Sequence, residues 1–408
     1  MHFADRLDRL PPYLFSELRE KVSSLRNQGV DVITLGAGDP DMPPPDLIIE
    51  VAQRAMTDAA NHRYPDNRGK PEFRKAAAEF MRDRFGVALD PEHEIYPVLG
   101  GKEAIHHIAM ICLTDGDVCL APDPGYPVYR SAPVLAGANV YPMPLLSEND
   151  FLPDLDGVPA EIVERARLIY INFPNNPTGA IAGVDFFARV VAFAKQNDLI
   201  VVHDNAYSEL SFDGYRPDSF LATPGARDIG VEVFSLSKGW NMTGWRVGWL
   251  AGNREIIGRY GHLKPNVDAG IFGAIQAAAV AAVTTEREFP KRMSKTYQRR
   301  RDQAVATLRD VGLDVRPQLA TPFLWARVPK NQSSKQFCDM LLDRAGVVVS
   351  PGSAFGEAGE GFFRIALMVP DDRLYEAVTR ISRVLGSEGL RDTTSAGTPK
   401  EFVETPHG

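Results

Sequence analysis

Cysteine is scarce in this chain of 408 residues, which contains only Cys112, Cys119 and Cys338. Three scattered cysteines do not provide a disulfide framework or a paired thiolate metal site, and this usage is typical of a reducing compartment. We therefore expect a cytoplasmic location and interpret the three cysteines as small buried hydrophobic residues.

Long apolar runs and an excess of positive charge are also missing. The most apolar helical stretch, 274–283, has about half the length that crosses a bilayer, and the first fifteen residues lack the apolar core of a secretory signal. The 45 basic and 53 acidic residues give a net charge of -8, which provides no basic field for nucleic acid or anionic lipid. We expect small-molecule partners, with no nucleic acid and no membrane.

The composition that remains, 44% hydrophobic and 24% charged residues, is typical of a globular protein. A chain of this length is expected to divide into more than one domain. We predict an N-terminal arm (1–30) that packs on the small lobe, a large lobe (31–285), a small α+β lobe (286–386) and a flexible tail (387–408).

The predicted large lobe alternates short β-branched runs with helical patterns, which indicates an α/β fold with a mostly parallel sheet between helices. Ligands of such sheets bind beyond the carboxyl ends of the strands, so the residues that follow the strands are the candidates for function. The clearest predicted strands are 117–121, 167–172, 199–204, 232–236 and 247–252.

A lysine with serine neighbours follows one of these strands. Ser235 lies at its end, Ser237 and Lys238 come directly after it, and Arg246 lies eight residues beyond the lysine. A desolvated lysine is a nucleophile suited to Schiff-base formation, and hydroxyls with a guanidinium can hold a phosphate. Alone, such a lysine is more often a solvated charge.

Polar residues follow the neighbouring strands as well. Asp204 ends one strand, with Tyr207 three residues later, and Asn176 lies in the Phe-Pro-Asn-Asn-Pro-Thr-Gly segment after another. A buried carboxylate can keep a pyridine nitrogen protonated, while the tyrosine and the asparagine could contact a phenolate oxygen. The alternative for each is an ordinary turn.

Two further segments offer a phosphate site and a ring-stacking residue. Gly100 and Gly101 precede a helix predicted from Lys102 to Leu113, whose N-terminus is suited to an anion. Tyr126 lies in a Pro-Gly turn after a strand and could stack on a planar cofactor or cover the edge of the core.

Taken in chain order, these segments resemble the class I/II aminotransferases of fold type I, which use pyridoxal 5'-phosphate. The resemblance extends from about Leu35 to Leu385. It implies that Lys238 forms the Schiff base, that Asp204 pairs with the pyridine nitrogen and that Tyr126 stacks on the ring. It also implies contacts of Asn176 and Tyr207 with the phenolate oxygen, and of Gly101, Lys102, Ser235, Ser237 and Arg246 with the phosphate.

The same resemblance assigns residues to the substrate and to a second subunit. Arg364 matches the arginine that binds the substrate carboxylate, and Gly38 matches the glycine that the substrate approaches. Tyr64 matches a tyrosine that reaches the phosphate of the neighbouring subunit, which implies a homodimer with shared sites. Further candidates for substrate contact are Tyr13, Asn67, Lys102, Asn176 and Asn266.

Several phrases, among them Ser-Leu-Ser-Lys-Gly-Trp-Asn-Met-Thr-Gly-Trp-Arg at 235–246, resemble the LL-diaminopimelate aminotransferase group. The implied reaction is a ping-pong transfer of an amino group to a 2-oxo acid such as 2-oxoglutarate. The alternatives are aminotransferases for aspartate, alanine, methionine or aromatic amino acids, a lyase or cyclase of the same fold, and a pyridoxal-binding regulator. We predict no metal, because the adjacent His106 and His107 point to different faces of their helix.

Overall fold

The computed structural model describes residues 3–10 and 14–387. The predicted tail lies outside this range except for its first residue, Ser387. The strands are β1 (Ile33–Thr34), β2 (Ile95–Val98), β3 (Val118–Asp123), β4 (Asn139–Pro144), β5 (Ala166–Asn172), β6 (Ile200–Asp204), β7 (Gly230–Ser235), β8 (Gly248–Gly252), β9 (Phe323–Arg327), β10 (Val347–Val348), β11 (Ser350–Pro351) and β12 (Phe362–Ala366).

The helices show the end signals that the sequence carries. Pro71 opens α3, Gly86 ends it in the left-handed region at φ 72°, and Asn253 caps α10 by accepting bonds from two backbone N–H groups. The helices are α1 (Leu14–Asn27), α2 (Asp46–Met56), α3 (Pro71–Phe85), α4 (Gly101–Cys112), α5 (Val128–Leu135), α6 (Ala160–Val163), α7 (Val184–Gln196), α8 (Ala226–Ile229), α9 (Leu236–Gly239), α10 (Arg254–Leu263), α11 (Gly273–Thr284), α12 (Phe289–Asp310), α13 (Ser334–Ala345) and α14 (Asp371–Ser387).

A 7-stranded sheet in the order β2-β8-β7-β6-β5-β3-β4 forms the centre of the larger part. Strands β4, β3, β5, β6 and β7 run parallel, whereas β8 pairs antiparallel with both β7 and β2. The register sets Asn172 opposite Asp204 at the carboxyl ends of β5 and β6. The parallel strands therefore deliver their last residues to one edge of the sheet.

Helices cover both faces of this sheet, which confirms the predicted α/β fold. Side chains alternate along β5: Ile169 and Ile171 join the core cluster that includes α2, α3, α7 and α11. Leu168 and Tyr170 join the cluster on the other face, with α4, α5 and α10. A strand with apolar residues on both faces is typical of a parallel sheet buried between two helix layers.

The C-terminal part is built on a 3-stranded antiparallel sheet in the order β11-β12-β9, packed against α12, α13 and α14. Ile33 and Leu35 pack in this core, although they fall within the range predicted for the large lobe, because β1 pairs in parallel with β10. Val22 of α1 packs against Leu342 and Val348 of the same part. The other predicted domain limits stay predictions.

The helices within the described ranges are all too short or too polar to span a lipid bilayer.

Candidate active site

A pocket of about 680 Å³ opens beyond the carboxyl ends of the parallel strands, where the sheet faces residues of the C-terminal part. Its floor comes from the ends of β5, β6 and β7, and Phe323, Phe355 and Arg364 contribute the opposite wall. The sequence-predicted residues that line this pocket are Gly38, Gly101, Lys102, Tyr126, Asn176, Asp204, Tyr207, Ser235, Ser237, Lys238, Arg246 and Arg364.

Asp204 lies at the base of the pocket as the last residue of β6. The Tyr129 hydroxyl donates a hydrogen bond of 2.7 Å to Asp204 Oδ2, and the Ala206 N–H donates one of 3.3 Å to Oδ1. The side-chain amide of Asn172 holds the Asp204 carbonyl at 2.8 Å. Burial raises the pKa of the Asp204 carboxyl, and the bond from Tyr129 opposes that shift. A cationic N–H in the pocket would therefore relieve the cost of burying this charge.

Lys238 lies in the short helix α9, which begins directly after β7. The Ser235 side chain caps this helix by accepting a 3.2 Å bond from the Ser237 N–H. The Lys238 ammonium donates a hydrogen bond to the Gly38 carbonyl oxygen. Burial lowers the pKa of Lys238 to about 8, with Arg364 and Arg246 adding to the shift and Asp39 opposing it. A substantial neutral fraction near pH 8 makes this amine a nucleophile.

The N-terminus of α4 forms the second end of the pocket. Gly100 precedes the helix with φ 86°, a left-handed conformation that favours glycine. The exposed Arg246 lies over this turn, with Nη2 3.4 Å from the Leu99 carbonyl oxygen and Nη1 2.9 Å from that of Thr243. Backbone N–H groups at a helix start and a guanidinium together suit a phosphate group.

Arg364 of β12 lies in the wall opposite the sheet and is only 4% exposed. Its Nη1 donates to Asn176 Oδ1 at 2.7 Å and its Nη2 to the Gly36 carbonyl oxygen at 2.7 Å. The Nε has no hydrogen-bond partner among the described residues. The guanidinium lies between the rings of Phe323 and Phe355, 4.3 and 4.6 Å from their centroids. Burial lowers its pKa to about 10, so a carboxylate ligand would be stabilised here.

Residues 30–381 match the family model of aminotransferase class I and II. The chain belongs to this family. It is an enzyme that transfers amino groups between amino acids and 2-oxo acids, and its fold is that of the fold-type-I aminotransferases.

Relatives extend the match over nearly the whole chain. The LL-diaminopimelate aminotransferase of Desulforudis audaxviator is 48% identical over 383 residues, which cover 94% of this chain and 98% of the relative. That of Moorella thermoacetica is 46% identical over 95% and 99% of the two chains. Among solved structures, substrate-bound BacF of Bacillus subtilis has a TM-score of 0.90 at 36% identity, covering 94% of this chain and 98% of its own.

Three predicted site residues within the described ranges, Tyr64, Asn67 and Asn266, do not line the pocket of the single chain. Tyr64 is 97% exposed, and Asn266 is exposed with its amide donating to the His262 carbonyl oxygen at 2.9 Å. Tyr13 lies outside the described residues. Their roles, and that of Asn67, stay predictions.

The structure adds pocket residues that the sequence analysis missed. Asn172 ends β5 and could have been found by the strand-end rule that selected Asp204. Tyr129 follows Tyr126 by three residues at the start of α5, a spacing that returns a helical side chain to the same side. Asp39 is the neighbour of Gly38, but no sequence pattern singled it out. Phe323 and Phe355 come from the C-terminal part, so nothing local placed them beside Arg364.

Proposed function

We propose that this aminotransferase binds pyridoxal 5'-phosphate at Lys238, takes LL-diaminopimelate as its amino donor and works as a homodimer. The observation that carries the cofactor assignment is the position of Lys238, a partly buried amine with a lowered pKa, between a carboxylate and an anion site. The substrate assignment is supported by relatives of that name with 46–48% identity.

The pocket fits this cofactor at each of its polar positions. Asp204 is a buried carboxyl at the base, where a protonated ring nitrogen would be its counter-ion. The turn at Gly100 and Gly101, with Arg246 above it, suits the phosphate. Asn176 engages its amide oxygen with Arg364, so its amide nitrogen is the group that would donate to the ring oxygen. Tyr207 lines the same pocket as Asn176, and its hydroxyl would also donate to the ring oxygen.

When bound, the cofactor supplies an electron-withdrawing ring that stabilises the charge left by removal of the substrate α-proton. Arg364 would bind the α-carboxylate through its planar fork and so orient the α-carbon. Lys238, once displaced by the substrate amine, is the base that removes the α-proton and returns it. Asp204 would keep its ionised form because its partner carries positive charge.

Charges of both signs at the pocket mouth suit a donor with two amino acid ends. Arg364 would hold one carboxylate, and the exposed side chains of Arg26, Asp39 and Lys102 line the same pocket. A distal ammonium would find Asp39, and a distal carboxylate would find Arg26 or Lys102. This pairing supports a diamino dicarboxylate such as diaminopimelate.

The homodimer is supported by exposed large side chains on two segments that pack together, 61–70 and the loop that runs from Val267 through Gly270. Tyr64 presents 97% of its surface to solvent, and Val267 is 47% exposed. Large apolar side chains at this level of exposure are typical of an interaction surface when they are grouped. Tyr64 would then complete the phosphate site of the second subunit.

A half-reaction screen tests the proposal. The purified protein, loaded with pyridoxal phosphate, is mixed with LL-diaminopimelate, glutamate, aspartate, alanine, methionine or an aromatic amino acid, and the cofactor absorption is recorded. We expect the change that marks uptake of the amino group to be fastest with LL-diaminopimelate. No change with that donor would refute the substrate assignment. Release of ammonia without a 2-oxo acid acceptor would indicate a lyase instead.

A further inference from the structure

A fully buried lysine, Lys264, lies behind the phosphate end of the pocket. The Lys264 side chain is fully buried, with Nζ 3.1 Å from Glu103 Oε1 and bonded to Asp268 Oδ1. The Tyr260 hydroxyl also donates to Glu103 Oε1, and His107 Nδ1 lies 2.6 Å from the same oxygen. Glu103, His107 and Asp268 have the spacing of metal ligands, but the Lys264 ammonium already supplies the cation among them.

Glu103 connects this cluster to the phosphate turn. It lies in the first turn of α4, and its second oxygen, Oε2, accepts a 2.9 Å hydrogen bond from the Leu99 N–H. The Glu103 N–H donates to the Gly100 carbonyl oxygen at 3.2 Å. The carboxylate thus spans the turn that presents Gly101 and Lys102 to the pocket. Its orientation is set by the Lys264 ammonium and the Tyr260 hydroxyl on its other oxygen.

Lys264 and Asp268 connect the cluster to the surface segment 61–70. The loop that they anchor continues through Gly270, where a side chain would collide with the Asp66 carbonyl oxygen. His62 contacts the Phe272 ring at a centroid distance of 5.8 Å, and the Lys70 N–H donates to Gln276 Oε1 at 2.6 Å. The loop and the 61–70 segment are therefore packed as one unit, and this segment carries Tyr64.

We propose that Lys264 is a positioning residue that couples phosphate binding in one subunit to pairing with the next. A phosphate on the turn fixes Glu103, Glu103 fixes Lys264, and the anchored loop fixes the segment that presents Tyr64 to the other subunit. Two sites joined by contacts that must form together influence each other's affinity reciprocally. This inference rests on the cofactor and the homodimer proposed above.

The test compares the wild-type chain with the double variant Lys264→Met, Glu103→Gln. This variant removes both buried charges together, so that only Asp268, whose side chain is 27% exposed, loses a counter-ion. Each protein is freed of cofactor, and its dimer dissociation constant is measured by sedimentation with and without pyridoxal phosphate. Inorganic phosphate serves as a second probe of the turn alone. We expect the cofactor to tighten the wild-type dimer by about 5-fold to 150-fold, and this factor to fall towards one in the double variant.

A matched control removes an equally buried cation outside the connected unit. Arg301, on α12 of the C-terminal part, is 2% exposed, and its Nη1 lies 2.7 Å from Asp213 Oδ2. The double variant Arg301→Met, Asp213→Asn should lower the melting temperature and keep the coupling factor. A role of Lys264 in stability alone predicts the same behaviour for both double variants.

The remaining outcomes separate this inference from the proposed function. If the wild-type chain neither binds pyridoxal phosphate nor pairs, the proposed function fails. If it does both and the Lys264 double variant keeps the full coupling factor, the inference alone is overturned. Should that variant not fold, Asp268→Asn takes its place, because this side chain is 27% exposed and its loss still releases the loop. An unchanged coupling factor in Asp268→Asn would overturn the inference.

Discussion

Lys264 is fully buried and Lys238 is partly buried, and the charges that surround the two amines differ in sign. Two carboxylates, those of Glu103 and Asp268, face the Lys264 side chain. Lys238 bonds to a backbone carbonyl and has two arginines nearby, and its pKa falls to about 8. The comparison teaches that burial alone does not make a lysine reactive. The charges around the buried amine decide whether it is a base or a structural ion.

Replacement of Lys238 should mainly lower turnover, whereas replacement of Lys264 should mainly lower the melting temperature. We expect Lys238→Ala to lose at least about 10³-fold in turnover, because it removes both the base and the cofactor attachment, while its melting temperature changes little. Lys264→Met should lower the melting temperature, because Glu103 is left with a buried charge and its Lys264 counter-ion is gone, a loss of about 3–5 kcal/mol for a buried pair. Steady-state kinetics and thermal unfolding measure the two effects.

Lys195 provides the control for these replacements. It forms a 2.7 Å ion pair with Asp228 on the surface, and its side chain is 44% exposed. Lys195→Ala should change neither turnover nor melting temperature appreciably, since exposed pairs contribute about 0–1 kcal/mol. If Lys238→Ala kept turnover within tenfold of the wild-type rate, the distinction between the two lysines would collapse.

The substitution Arg364→Lys separates two effects of Arg364 at the Lys238 pocket: its charge and the planar geometry of its guanidinium. The variant keeps a cation near Lys238 but removes the planar fork, so we expect kcat/KM for the amino donor to fall about 10²-fold. The pKa of Lys238 should stay near 8 because the charge is retained.

The same donor screen and a pH titration of Lys238 reactivity measure the two quantities. Arg327→Lys, an exposed arginine at the far end of the same sheet, is the control and should leave kcat/KM unchanged. An unaltered kcat/KM in Arg364→Lys would contradict the assignment of the substrate carboxylate to Arg364.

The sequence predicted one side of this comparison and not the other. Lys238 follows a strand and Asp204 ends one, so the rule that ligands bind at the carboxyl ends of parallel strands selected them. Lys264 stands in a Lys-Pro-Asn turn, with exposed neighbours, where a solvated charge is the ordinary interpretation. Its burial arises because α4, α10 and the following loop converge, and no local pattern encodes that convergence.

Of the pocket residues that the C-terminal part contributes, the sequence predicted only some, because the others depend on contacts between distant segments. Arg364 was found through the family motif, whereas the rings of Phe323 and Phe355 on its two faces depend on how β9 and the loop after β11 meet β12. The position of Tyr64 was predicted to serve a second subunit, and a single chain leaves it exposed. Contacts between distant segments, or between subunits, lie beyond what strand-end patterns specify.

The substitution Asp39→Asn should lower the pKa of Lys238 further and so widen the difference between its surroundings and those of Lys264. The Asp39 carboxylate raises the pKa of Lys238 against burial and the two arginines, so its neutralisation should lower that pKa below 8. The neutral fraction of Lys238 at pH 7 then rises. Because Asp39 is exposed, solvent screening keeps the shift under about one unit, and added salt should shrink it.

The shift is measured on the cofactor-free protein by labelling with an amine-reactive ester across pH 6–10 and quantifying Lys238 by peptide mapping. The wild-type profile should rise with a midpoint near pH 8, and that of Asp39→Asn at lower pH, since only the neutral amine reacts. Lys264 should remain unlabelled in both, because its buried ammonium is bound by carboxylates. Asp154→Asn, an exposed acidic residue that does not line the pocket, should leave the profile in place. A midpoint that moves to higher pH in Asp39→Asn would mean that the charge of Asp39 is not what holds the pKa of Lys238 up.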